Sequence, residues 1–327
     1  MAIPFEVPAK YAVDVVSGAL VRSGALLKDS SSGQIVAHLQ ETGLGQRLIS
    51  SAVNSPFSPT YALAAPSSLA ANAQLVQLKG MMESLQMFQF ANLAATVAGI
   101  GVSAIGFVMM NKKINGLQSQ MTEFENRVEA WFRELQERDL RAHYSRLHGL
   151  YHEADQSHSM SNPVTEFLRI AHELAKESAF FRGEVAFLIH NDIFDIELFK
   201  VLIRSYTLCD AGRIECLLFA GELLAAHKVS KDVASQYNTL FDSLSPIKLA
   251  HKSPSLLENK EIPLDHLLRQ ELVGMHELVD YVRDIQDAAI SKPYLIKTLI
   301  DRGIDGYEYI QAITSEKERP LLLVEAG

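Results

Sequence analysis

The stretch FQFANLAATVAGIGVSAIGFVMM, residues 88–110, is followed almost at once by the heptad repeat INGLQSQMTEFENRVEAWFREL, residues 114–135. Between Glu83 and Lys112 the chain carries no ionisable side chain. A helix that spans a membrane needs about 20 predominantly apolar residues, and this run supplies them. We therefore predict a long helix whose first part, residues 80–111, is a candidate transmembrane segment.

Small side chains distinguish this uncharged run from a strongly hydrophobic anchor. A ridge that recurs every four residues is formed by Ala91, Ala95, Gly99 and Ser103. Small residues allow helices to approach closely in lipid, so we predict that this ridge packs helices together or lines a pore. The same composition also fits a buried central helix in a soluble bundle.

The apolar positions of the heptad repeat alternate in steps of three and four. They are Ile114, Leu117, Met121, Phe124, Val128, Trp131 and Leu135. Charged residues occupy the other positions, a pattern that is typical of a coiled coil. It predicts a stalk over residues 112–154 that assembles a homo-oligomer, with packing against the chain's own helices as the alternative.

The N-terminal part predicts a small αββ module over residues 1–47. Its two strand-like runs, residues 19–28 and 34–39, flank the sequence DSSSG at residues 29–33. Asp, Ser and Gly favour turn geometry, so we expect a hairpin here. The proline-bearing and nearly uncharged residues 48–79 are interpreted as a linker.

The remainder, residues 155–327, is predicted to be a helical domain, so the chain as a whole is expected to be mainly α. Amphipathic helical patterns follow one another there, without a convincing strand signal. The formal net charge of -9 argues against broad affinity for nucleic acid. Lys112 and Lys113 follow the apolar run, and this positive charge places the helical domain in the cytoplasm.

Enzyme motifs are missing from the sequence. It has no Walker loop, no GxGxxG and no GxSxG, and its two cysteines, Cys209 and Cys216, lie in apolar helical surroundings. The histidines between residues 143 and 158 do not follow the HExxH order of a zinc site. We therefore expect a protein that is not an enzyme, with no catalytic residue, no metal and no cofactor.

One ligand hypothesis concerns basic residues of the helical domain. Its members are Lys200, Arg204, Arg213, Lys248 and Lys252. Together they would form a basic pocket for a nucleotide or a short oligonucleotide. Neutralisation of nearby acidic residues on the surface is the alternative explanation.

The order of a small N-terminal cap, one weakly hydrophobic pass and a helical domain resembles the single-pass membrane effectors of bacterial anti-phage defence systems. The resemblance implies a homo-oligomer in the inner membrane, whose cytoplasmic domain senses a nucleotide-type signal and whose pass permeabilises the lipid bilayer. An inner-membrane effector or channel of antiviral defence is therefore the expected function. The alternatives are a membrane-anchored scaffold that recruits a partner protein, and a soluble helical toxin or structural protein with a buried apolar central helix.

Overall fold

The chain is mainly α-helical with one small antiparallel sheet, as predicted. The computed structural model describes residues 11, 14, 17–23, 26–41, 134–253, 264–315 and 321–325. The chain divides into two compact units, which we call the sheet unit and the helical unit. The sheet unit is Met1–Ala104 with Ala312–Gly327, and the helical unit is Ile105–Gln311.

Four strands build the sheet, and each neighbouring pair is antiparallel in the order β1-β2-β3-β4. The predicted first strand is divided into β1 and β2, and β4 comes from the C-terminal part of the chain, where the sequence suggested no strand. Leu39 of β3 pairs with Leu323 of β4. The strands are β1 Leu20–Ser23, β2 Leu26–Asp29, β3 Ile35–Glu41 and β4 Leu321–Glu325.

The turn between β2 and β3 forms where DSSSG predicted it. Oδ1 of Asp29 accepts hydrogen bonds from the backbone N–H groups of Ser31 and Ser32, at 3.0 and 2.8 Å. Hydrogen bonds from these serines, their hydroxyls included, lower the pKa of Asp29 to about 2. Gly33 closes the turn at a φ of 70°, a backbone conformation that costs glycine little.

Seven helices lie in the described residues, and six of them fall wholly within the helical unit. The long helices carry apolar residues three and four positions apart and bury that stripe. The helices are α1 Glu134–Ser157, α2 Pro163–His190, α3 Ile196–Phe219, α4 Leu223–Phe241, α5 Pro246–Ala250, α6 Leu264–Asp301 and α7 Gly306–Ser315.

Helix α3 is the centre of the helical unit, because it packs against α1, α2 and α4 and is buried on nearly every face. Asp195 caps its start, and its Oδ1 accepts the backbone N–H groups of Glu197 and Leu198 at 2.9 and 3.0 Å. Its end is closed by Gly221, which has a φ of 75° and donates its N–H to the Leu218 carbonyl at 3.1 Å. Both ends of the central helix are therefore fixed by local hydrogen bonds.

The prediction of an inner-membrane effector or channel, and of an inner-membrane location, is wrong on the structure. Among the residues that the structure describes, no helix combines the length and the apolar character that a membrane crossing needs. Even the central α3 has Lys200, Asp210 and Arg213 along its length, and ionised groups are costly in lipid. This finding also contradicts the expectation that the protein permeabilises a lipid bilayer.

Several sequence predictions lie outside the described residues. They concern the candidate segment 80–111 with its ridge of Ala91, Ala95, Gly99 and Ser103, the linker over residues 48–79, and the heptad positions from Ile114 to Trp131. The last heptad residue, Leu135, belongs to the first turn of α1. The coiled coil therefore stays a prediction.

The close crossing of α1 and α3 gives a first testable prediction, at Gly212. A Cβ added there would lie 2.9 Å from Cζ of Tyr151, whose hydroxyl donates to the Leu208 carbonyl at 2.6 Å. Because the Tyr151 ring is buried and held by this bond, Gly212→Ala should lower the free energy of unfolding by about 1–3 kcal/mol through overpacking. Chemical denaturation monitored by circular dichroism measures the change.

Gly183 provides the matched control, since it also lies within a helix but has nothing within 4 Å of its added Cβ. Gly183→Ala should stabilise the protein by up to about 1 kcal/mol, because alanine is the better helix former. Equal effects of the two substitutions would show that the contact between α1 and α3 is not tight.

Candidate functional site

Polar side chains form a buried layer across the helical unit, and its centre is the pair Glu177 and Ser178 on α2. Glu177 falls at a position of the apolar stripe, three residues after Leu174 and four before Phe181, so the helix carries it into the core. Both polar residues are buried. A buried carboxylate needs partners, and the neighbouring helices supply them.

Two cationic or hydrogen-bonding groups of α1 reach Glu177. Nδ1 of His143 lies 2.7 Å from Oε2, and Nη1 of Arg146 donates to Oε1 at 3.2 Å. His143 and Arg146 are three residues apart and therefore share one face of α1. Each oxygen of the carboxylate thus has its own donor, which offsets the cost of burying its charge.

The His143 ring is fixed by aromatic neighbours as well as by the carboxylate. It stacks on the Phe180 ring with centroids 3.5 Å apart and planes 12° apart, and it meets Phe181 edge to face at 6.5 Å. Its side chain keeps 29% of its surface exposed, whereas Glu177 is 1% exposed. This histidine therefore lies at the rim of the layer, with one edge inside and one edge outside.

Ser178 extends the layer to α3, where it donates its hydroxyl to Oδ1 of Asp210 at 2.6 Å. Burial raises the pKa of Asp210 to about 6, while the hydroxyls of Ser178 and Tyr237 and the charges of Arg213 and Arg182 act to lower it. The Tyr237 hydroxyl on α4 lies near this carboxyl but forms no hydrogen bond of good geometry with it. Asp210 is therefore a buried acid whose charge is only partly compensated.

Both cysteines lie close to this layer on α3 and are buried free thiols. Burial, followed by the negative charges of Asp210 and Glu177, raises the pKa of Cys209 well above its ordinary value. Burial and the charge of Glu215 do the same to Cys216. Since the thiolate is the reactive form, neither residue is suited to nucleophilic chemistry.

The five basic residues predicted to bind a ligand lie in different local environments. Nζ of Lys200 binds Oε1 of Glu197 at 2.8 Å, and Nζ of Lys252 donates to the Ile189 carbonyl at 3.0 Å. The other three differ again: Arg204 lies beside Tyr281, Arg213 lies near Asp210, and Lys248 is exposed on α5. The ligand pocket stays a prediction, and Lys200 and Lys252 already serve contacts within the protein.

The histidines near the end of α1 also contact different groups. His152 pairs with Gln156, its Nε2 lying 2.9 Å from the amide nitrogen, whereas His158 packs against aromatic rings. Within the described residues, no group of three or more His, Cys, Asp or Glu side chains is placed to hold a metal ion. These histidines are thus divided among different surroundings.

A second feature, which we call the apolar end, lies where α2, α4 and α7 begin and α3 ends. The Phe219 ring is 5.1 Å from Phe167 and 5.7 Å from Tyr307, and the His158 ring packs against Phe219 at 4.7 Å. Burial lowers the pKa of His158, opposed by the charge of Asp155. Packed aromatic rings therefore form the core of this end of the bundle.

Large apolar side chains are exposed around these rings. Leu224 is the most exposed of them, at 75%. Helix α6 reaches the same place, because Nδ1 of His227 on α4 lies 3.0 Å from the Pro293 carbonyl oxygen. The exposed members of the apolar end are Met160, Val164, Leu168, Leu224, Tyr294 and Tyr307.

Comparison of the chain with protein-family models, with curated proteins and with solved structures found no match. The site is therefore defined by its geometry. Sequence reasoning missed both the polar layer and the apolar end. A charged residue on an apolar stripe, as at Glu177, was the available signal for the layer, whereas the apolar end depends on the packing of several helices.

The raised pKa of Asp210 gives the second prediction. Unfolded aspartate releases its proton near pH 3.8 and native Asp210 near pH 6, so the native state holds the extra proton between these values. Its contribution to the free energy of unfolding therefore falls as pH rises from 4 to 7, by up to about 3 kcal/mol. Asp210→Asn keeps the oxygen that accepts from Ser178 and removes the ionisation.

Relative to wild type, Asp210→Asn should thus gain stability as pH rises, measured by chemical denaturation at pH 4, 5.5 and 7.5. Asp242→Asn, at the exposed end of α4, is the control, and its curve should run parallel to that of wild type. Parallel curves for Asp210→Asn and wild type would mean that the pKa of the Asp210 carboxyl is not raised in the native protein.

Proposed function

We propose that this protein is a non-catalytic helical scaffold that recruits another protein through the apolar end of its helical unit. The observation that carries the proposal is that six exposed large apolar side chains lie on the chain segments that meet at the apolar end. Exposed apolar patches on folded proteins commonly mark sites of interaction. The scaffold considered from the sequence was anchored in a membrane, but recruitment of a partner itself requires no spanning helix.

Features of the polar layer support a non-catalytic role. The polar groups of the layer face one another across helix interfaces, as Glu177 faces His143 and Arg146. The two thiols are kept protonated by burial. Such a layer is suited to a structural role, in which it fixes how the helices pack, while binding takes place at the apolar end.

We further propose that the heptad residues assemble the scaffold into a homo-oligomer. Helix α1 begins at Glu134, so its first turn includes the last heptad residue, Leu135. A coiled coil that ends at the start of α1 would present several apolar ends together. Several weak sites on one particle give avidity without new contacts.

The recruiting role is tested by site-specific photo-crosslinking of the full chain in its host cells. A crosslinking amino acid placed at Leu224 should give one discrete adduct with a different protein. Lys231 lies on the same helix and is exposed, so the same probe placed there is the control that should not give this adduct. Adducts only with other copies of this chain, or equal adducts at both positions, would reject the proposal.

The identified partner is then purified and its affinity measured by calorimetry. The double substitution Val164→Asp and Leu224→Asp should weaken binding at least about tenfold, because it places charge where an apolar contact forms. Lys231→Asp changes charge on the same helix and should leave binding unchanged. Equal affinity of all variants would mean that the apolar end is not the binding surface.

The oligomer is tested by light scattering on the purified full chain. Met121→Asp together with Val128→Asp places charge in the predicted seam and should reduce the particle to a single chain. The control, Glu123→Gln with Glu129→Gln, changes solvated positions and should retain the wild-type mass. A wild-type particle with the mass of one chain would contradict the prediction.

A further inference from the structure

His143 has the geometry of an oriented nucleophile. Its Nδ1 lies 2.7 Å from Oε2 of the buried Glu177. An ionised carboxylate accepts hydrogen bonds but donates none, so in the neutral imidazole the proton is on Nδ1 and the lone pair is on Nε2. Stacking on Phe180 fixes the plane of the ring. The lone pair of Nε2 therefore points in a defined direction.

The second ring nitrogen lies away from Glu177. Nδ1 is directed at Glu177 in the interior, Nε2 is across the ring from this contact, and 29% of the His143 side chain is exposed. No hydrogen bond to Nε2 is formed by the part of the chain that the structure describes. A reagent that labels this nitrogen would enter through the exposed part of the side chain.

A positive charge lies on the same helix face as His143. Arg146 follows His143 by one turn of α1, and its side chain is 59% exposed although Nη1 donates to Glu177. The remaining N–H groups of its guanidinium are available to an incoming anion. Guanidinium groups bind the oxygens of phosphoryl groups well, because they offer several donors in a fixed plane.

From this arrangement we infer that His143 is a phosphoryl acceptor, modified at Nε2. The lone pair of Nε2 attacks the phosphorus of a phosphoramidate-type donor, and a new N–P bond forms as the donor's N–P bond breaks. The electrons of the broken bond leave with the donor nitrogen as an amine or ammonia. The imidazole gains a positive charge, which the Glu177 carboxylate offsets while still accepting from Nδ1–H.

Other uses of an oriented imidazole fit the surroundings less well. A metal site needs further ligands, and among the described residues no suitable group of three is present. Covalent catalysis with histidine as the base needs a nucleophile beside it, and burial keeps the nearby Cys209 thiol protonated. Phosphoryl transfer to His143 requires only the groups already in place, with Glu177 and Arg146 as positioning residues.

This site is separate from the apolar end. His143 lies 14 positions before the last residue of α1, which corresponds to about 20 Å along the helix. Modification of His143 is therefore independent of whether the apolar end binds a partner. Failure of either proposal leaves the other intact.

The test treats the full chain with potassium phosphoramidate at neutral pH. Mass spectrometry under alkaline conditions locates the label, and phosphorus NMR identifies the isomer. His143 should be labelled at Nε2, about tenfold faster than His172, an exposed histidine of α2 that serves as the internal control. Absent labelling, equal rates at the two histidines, or the Nδ1 isomer would overturn the inference.

Three variants separate orientation from simple exposure. His143→Asn removes Nε2 but retains an amide that can donate to Glu177, so it should lose the fast label while unfolding at the temperature of wild type. Glu177→Gln removes the charge that offsets the imidazolium, so it should slow labelling about tenfold and change its pH profile, with His172 unaffected. Glu177→Asp should restore part of the rate. Wild-type rate and pH profile in Glu177→Gln would refute the positioning role.

Discussion

The burial of the Glu177 carboxylate between α1 and α2 is the constraint on which the helical unit depends. Removing a carboxylate from water costs several kcal/mol unless donors replace the lost hydration. Within the described part of the chain, His143 and Arg146 supply them, and they do so from one face of α1. A shift of α1 by one turn would leave the charge buried without these donors, so the pairing favours a single register between the two helices.

Ser178 forms a second buried polar contact, on the other side of α2. Consecutive residues on a helix point in directions about 100° apart, which allows Glu177 to face α1 while Ser178 meets Asp210 on α3. Asp210 lies in turn beside Tyr237 of α4. The polar layer therefore relates four helices that apolar packing alone would position less specifically, and it does so where α3 has little contact with water.

Local features were predictable from the sequence, and non-local ones were not. The DSSSG turn formed as expected because Asp29 and its serines satisfy one another within five residues. Strand β4 was missed because its partner, β3, lies 280 residues earlier and leaves no periodic signal nearby. The membrane prediction relied on the charge and hydropathy of residues 80–111, which cannot distinguish lipid from a protein interior. Glu177 could have been found as a charge on an apolar stripe, but its partners depend on tertiary packing.

In the proposed recruiting role, the polar layer and the apolar end would support each other. An exposed apolar side chain contributes most to affinity when it is already held in place, because ordering a mobile surface consumes part of the binding free energy. Tyr307 packs against Phe219 at the end of α3, and α3 is itself held by the Ser178 to Asp210 contact. The surface around Leu224 thus belongs to a group of helices whose register is fixed by buried polar contacts. A rigid frame with an exposed apolar end would suit the proposed recruitment of a folded partner.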